Sequence, residues 1–199
     1  MSFRIVNEFE KTIASYFGAP YGVAVDCCTH GLELALRYTK ADRINIPKNT
    51  YPSVPMLSTK LNISRMWRNE QWKEYYTIAP GIIDAAVLWR PNSYVEHTLM
   101  VLSFQFKKHL NLGRGGLILT DNIDAWTALK KMSYDGRDPN SDVPWADQEI
   151  TQPGYHYYMT PETAKLGISK FPTASKKKAE IKTWEDYPDL LTFKVFKNG

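Results

Sequence analysis

The sequence predicts an α/β fold, a mostly parallel sheet flanked by helices. Short apolar runs of strand length alternate with stretches whose apolar residues recur at helical spacing. The residues able to do chemistry fall just after those runs, where ligands sit in such sheets. There is no internal repeat and no low-complexity segment.

The elements follow in order. In residues 3–17, Ile5, Phe9, Ile13 and Phe17 recur at helical spacing with charges between them, so this is an amphipathic helix that Gly18 ends. Residues 22–25 (GVAV) read as a buried strand, and Thr29 caps a helix through Leu32, Leu34, Ala35 and Leu36. Residues 44–47 form a second strand, Pro52 opens a helix through Leu61, and residues 63–67 form a third strand. Residues 68–79 are polar and aromatic and show no period. Residues 81–86 form a buried strand that carries Asp84 near its end, and residues 99–104 and 117–120 are two more. Asp121 or Asn122 caps a helix through Met132, and residues 133–153 form a long loop rich in Asp, Pro and Gly. Thr160-Pro161-Glu162 starts a last helix. After Pro172 a charged tail begins at Lys176-Lys177-Lys178 and closes on YPDLLTFKVF, a strand or an edge clamp.

Composition narrows the function classes. The chain has 199 residues, 43% hydrophobic and 23% charged, enough for one sizeable core. A net charge of +4 is too small to argue for nucleic acid. No apolar run has the length of a membrane span, and the first residues lack a signal-peptide pattern. Cys27 and Cys28 are adjacent, which suits neither a structural disulfide nor a C-x-x-C metal pair and points to a reducing cytoplasm. The four histidines are scattered, so spacing gives no metal site.

Taken singly, the candidate site residues are ordinary. A lysine after a strand is usually solvated, Asp84 suits a turn, Thr29 a cap, and Gly113-x-Gly115-Gly116 a hairpin. Their order is not ordinary. VAVDCCTHGLELAL, INIPKNTYPSV, GIIDAA, SFQFKKHLNLGRGGLILTDN and GYHYYMTPETAKLGISK resemble, in that order, the DegT/StrS family of aminotransferases. The lysine segment is the most specific, because Ser103, Phe104, Lys108, Gly113, Gly115 and Gly116 all match the family pattern.

The resemblance implies the large domain of fold-type I pyridoxal-phosphate transferases over residues 1–172, with residues 173–199 a remnant of the small domain. It implies pyridoxal 5'-phosphate as cofactor, with Lys108 as its Schiff-base lysine and proton carrier. Asp84 would hold the pyridine nitrogen protonated. Cys28, Thr29 and Ser103 would hold the phosphate at a helix N-terminus. Tyr51 would stack on the ring. His156 would reach the phosphate of a partner subunit, which implies a homodimer with shared sites. The implied substrates are a nucleotide-linked keto-sugar and an amino donor, glutamate in the family. The alternatives are a cofactor-binding protein with lost or altered activity and a non-enzymatic scaffold that keeps the fold. Several positions depart from the family pattern: Cys27-Cys28 stand where Ser-Gly is usual, Val87 where Gln or His is usual, Phe106 where proline is common, Arg114 where an acid is common, and His156 and Tyr158 where the GYNYRMT motif has Asn and Arg.

Overall fold

The computed structural model describes residues 3–197. Helix α1 (Arg4–Phe17) buries Val6, Phe9, Ile13 and Phe17 on one face and stops at Gly18, whose φ of 81° ends the helix in a left-handed turn. Then follow β1 (Tyr21–Val25), α2 (Cys28–Thr39), β2 (Arg43–Pro47), α3 (Ser53–Leu61) and β3 (Ser64–Arg68). β4 (Tyr76–Ala79) lies at the end of the segment without period, and Pro80 and Gly81 turn it into β5 (Ile82–Asp84). β6 (Leu99–Ser103), β7 (Gly116–Thr120), α4 (Ile123–Ser133), α5 (Pro161–Ala174) and α6 (Lys194–Lys197) complete the elements.

The expected mostly parallel sheet is instead mixed. Five strands pair in the order β1-β7-β6-β5-β4, and β5–β6 is the parallel pair among them; β2 and β3 form a separate parallel pair. The cause is the connections. β4 and β5 are joined by a tight turn, and the loop 104–115 between β6 and β7 holds no helix to carry the chain across the sheet, so both pairs run antiparallel. The strands that matter still agree. β1 and β6 both oppose β7, and β5 runs with β6, so β1, β5 and β6 point the same way. Their carboxyl ends meet at one end of the sheet.

Side chains alternate between two buried layers, as strand geometry requires. Met100, Leu102, Leu117 and Leu119 pack with α1 residues Phe9, Ile13 and Phe17. Val101 and Ile118 face the other way, with Leu32 and Leu36 of α2 and Leu129 of α4. Edge strand β1 is secured by a buried ion pair. Glu10 of α1 accepts from the Ala24 N–H at 2.7 Å and binds Lys130 Nζ of α4 at 2.8 Å. The carboxylate thereby satisfies the Ala24 N–H on the unpaired side of the edge strand.

One local expectation changes and one open alternative is settled. Thr29 lies inside α2; the N-cap is Cys27, whose sulfur accepts from the His30 N–H at 3.4 Å. Of the two alternatives for the tail, strand or clamp, the structure shows the clamp. The tail makes single bridges, Lys73 with Thr183 and Asn49 with Asp189, between short turns at Trp184–Asp186 and Leu190–Thr192. None of the described helices is long and apolar enough to cross a membrane.

Candidate active site

The carboxyl ends of β1, β5 and β6 surround a cavity of about 340 Å³. Lys108, Asp84, Cys28, Thr29, Ser103 and Tyr51 all line it. His156 does not; it lies exposed elsewhere at a φ of 54°, with Nδ1 3.0 Å from the Asp135 carboxylate.

Lys108 owes its place to a loop pinned on both sides. Phe104, Leu110 and Leu112 are buried anchors, the Phe104 N–H donates to Gly115 O at 2.9 Å, and the Leu112 N–H returns to Phe104 O at 2.9 Å. Lys108 closes a turn onto Gln105 O at 2.8 Å. Burial lowers its pKa from the ordinary lysine value, and the nearby Cys28 and Asp84 offset part of that fall. Lys107 is exposed, with its ammonium 5.6 Å from the Phe106 ring.

Asp84 is 4% exposed and ends β5. Its register partner on β4 is Tyr76, which sets the two side chains on one face. The Tyr76 hydroxyl donates to Asp84 Oδ2 at 2.6 Å and also meets Thr50 Oγ1, while the Ala86 N–H donates to Oδ1 at 3.0 Å. Burial pushes the Asp84 carboxyl up; the Tyr76 and Ala86 hydrogen bonds and the Lys108 charge bring it part of the way back. A cationic group entering the cavity would favour its ionised form.

The N-terminus of α2 faces the same space. Thr29 Oγ1 lies 2.7 Å from Ser53 Oγ, which joins two hydroxyls at the cavity wall. The turn packs directly on the start of β7. A Cβ on Gly116 would sit 2.7 Å from the Cys27 carbonyl carbon and the Cys28 nitrogen, so no side chain fits there. The Cys28 thiol turns inward and its sulfur lies 3.9 Å from Val101 O; burial pushes its pKa well up.

Several residues of the site carry no sequence signal that singles them out. Tyr76 and Trp72 come from the segment without period, and Tyr187 from the tail. Arg114 pairs with Asp26 Oδ2 at 2.8 Å, beside the turn. His30 Nδ1 is 2.6 Å from Asp26 Oδ1, and its ring stacks on Tyr157 at 3.7 Å. Burial alone would lower the His30 pKa, but the bond to Asp26, with Cys27 adding, raises it to about 9. Asp26, Cys27 and His30 bring metal-ligand atoms within 4.8 Å of one another, yet both Asp26 oxygens are already engaged by His30 and Arg114.

A mixed α/β sheet thus carries a lysine loop after β6 and a buried carboxylate ending β5, both lining one cavity. Residues 2–87 and 96–192 match the model of the DegT/DnrJ/EryC1/StrS aminotransferase family, and the chain belongs to that family. Among solved structures it shares its fold with AtS13 from Actinomadura melliaura at TM-score 0.75 and 19% identity, over 89% of this chain and 61% of that one. The sugar aminotransferase CalS13 from Micromonospora echinospora gives 0.69 and 17%, over 86% and 61%. NtdA from Bacillus subtilis, solved with bound cofactor PMP, gives 0.68 and 15%, over 86% and 48%. The chain thus spans less than two thirds of each of these structures. No curated protein matches it.

Proposed function

We propose that the chain binds pyridoxal 5'-phosphate in the cavity between Lys108 and Asp84 and transfers an amino group from a donor, glutamate, to a nucleotide-linked keto-sugar. The observation that carries this reading is a single chamber holding a lysine of lowered pKa and a buried carboxylate. The donor set suits the cofactor: an amine for its aldehyde, a carboxylate for its ring nitrogen, and a helix N-terminus with hydroxyls for its phosphate. The likeness to a structure named as a sugar aminotransferase supports the substrate class.

When bound, the cofactor supplies an aldehyde that condenses with amines and a protonated ring that withdraws electrons. The chain's own residues do the rest. Lys108 Nζ, whose pKa burial lowers from the ordinary lysine value, would anchor the cofactor as nucleophile and later carry a proton. Asp84 holds the ring nitrogen's proton, and Tyr76 holds Asp84. The N–H groups opening α2, with the Thr29 and Ser103 hydroxyls, hold the phosphate. Tyr51, 54% exposed on the cavity rim, covers the ring face. His156, exposed and apart from its own chain's cavity, reaches the phosphate in a partner subunit of a homodimer. In this reading residues 1–172 carry the cofactor domain and residues 173–199 are what stands for the small domain.

Borohydride reduction of protein mixed with cofactor, followed by peptide mapping, tests the proposal. The label is expected on Lys108 and absent from Lys108→Ala; a label elsewhere, or none, rejects it. Val87 on the cavity wall favours a second reading, a cofactor-binding protein with altered activity. Glutamate added to the loaded protein separates the two: loss of the visible absorbance band supports the aminotransferase, and an unchanged band supports the second reading.

A further inference from the structure

The cavity has one wall that neither the strand ends nor the lysine loop supplies. After α5 the chain returns past Trp72 and the segment following β2, and its backbone is fixed there at several points. The Glu74 N–H donates to Lys182 O at 2.9 Å, the Trp184 N–H to Trp72 O at 3.1 Å, and the Leu190 N–H to Lys48 O at 2.8 Å. Between them, Asn49 Nδ2 donates to the Tyr187 carbonyl at 2.9 Å. The Tyr187 ring packs on Trp72, centroids 5.4 Å apart. Held in this way, Tyr187 lines the Lys108 cavity and also a second space of about 580 Å³ beyond it, which Lys108, Tyr51 and Ser103 also line.

We propose that Tyr187 is a cofactor-binding residue, its ring a wall of the chamber and its hydroxyl the donor of a hydrogen bond to the bound cofactor. The inference rests on the reading of the chamber as the pyridoxal phosphate site. Two further observations favour it. Val87, on the same lining, offers only methyl groups to a polar ring, so a donor from another element has a task there. Burial, with the Asp84 and Asp186 charges adding, pushes the Tyr187 phenol up to about 12, so it keeps its proton and remains a donor at neutral pH.

The test compares wild type with Tyr187→Phe, which keeps the ring and removes the donor. Binding is titrated with pyridoxal phosphate, with pyridoxal and with inorganic phosphate. The expected result is about a three- to tenfold loss of affinity for pyridoxal phosphate and for pyridoxal, the scale of one hydrogen bond. Inorganic phosphate, which the α2 turn holds, should bind as before. Equal affinity of both proteins for pyridoxal phosphate overturns the inference, as does an equal loss for all three ligands. Wild type that fails to trap cofactor on Lys108 overturns the underlying reading instead. Wild type that traps it, beside a Tyr187→Phe protein with wild-type affinities, overturns this inference alone.

Discussion

At the scale of single residues, Asp84 depends on a partner it could not be assigned from sequence. Its position after an apolar run marks it as a strand-end carboxylate, and the order of motifs gives it a role. Tyr76 has no such marker, because residues 68–79 show neither helical nor strand period. It becomes visible only through the register that sets Tyr76 against Asp84. Tyr76→Phe removes the donor at 2.6 Å and leaves a buried carboxylate oxygen short of a partner. Urea denaturation at neutral pH should show a loss of about 1.5–3 kcal/mol, the range for hydrogen bonds to charged groups. Unchanged stability would mean that Asp84 does not need the phenol. The preference for Lys108 over Lys107, by contrast, came from the family resemblance, since Lys108 stands at the family's lysine position. Both follow the same strand, yet Lys107 lies over Phe106 at the surface and Lys108 turns into the cavity.

At the scale of elements, apolar periodicity located α1, β1, β2, α3, β6 and β7 to within a residue or two. It did not give strand direction. Periodicity reports which face is buried, whereas direction follows from the connection, and neither the β4–β5 turn nor the loop 104–115 holds a helix that would carry the chain across the sheet. It also did not give the Glu10–Lys130 pair, since each residue alone reads as part of a solvated face. Burial raises the Glu10 pKa, while Lys130 and the Ala24 N–H pull it down. In Lys130→Met the carboxyl loses its cation and its pKa climbs further. A group with a folded pKa above its unfolded value of roughly 4.3 favours folding when protonated, and that benefit is lost as pH rises through the folded pKa. Lys130→Met should therefore cost about 3–5 kcal/mol at pH 7.5. The cost should shrink as pH falls toward about 4.3. Denaturation curves of both proteins across that range provide the check, and a cost independent of pH would contradict the assignment.

At the scale of the whole molecule, the cavity gathers residues from the start of α2 to the tail. The chain order of the motifs foretold most of this gathering, and the tail's share of it was not foretold. Residues after Pro172 were legible as a strand or clamp, but nothing in YPDLLTFKVF marks Tyr187 as a cavity residue, because its contacts are with Trp72 and Asn49, far away in sequence. His156 belongs to this scale too, since its proposed task lies in another copy of the chain. Mixing Lys108→Ala with His156→Ala subunits should restore cofactor trapping at wild-type affinity in the mixed dimers, where one site has both groups. A His156→Ala protein that binds cofactor as wild type does would remove the basis for that subunit exchange.

The bond from Asn49 to the Tyr187 carbonyl joins residues 138 positions apart. With the Leu190 N–H on Lys48 O, it ties the end of the chain to the loop after β2, next to Tyr51. The rim of the chamber and the tail are thus one mechanical unit, so whatever loosens the tail should also loosen that rim.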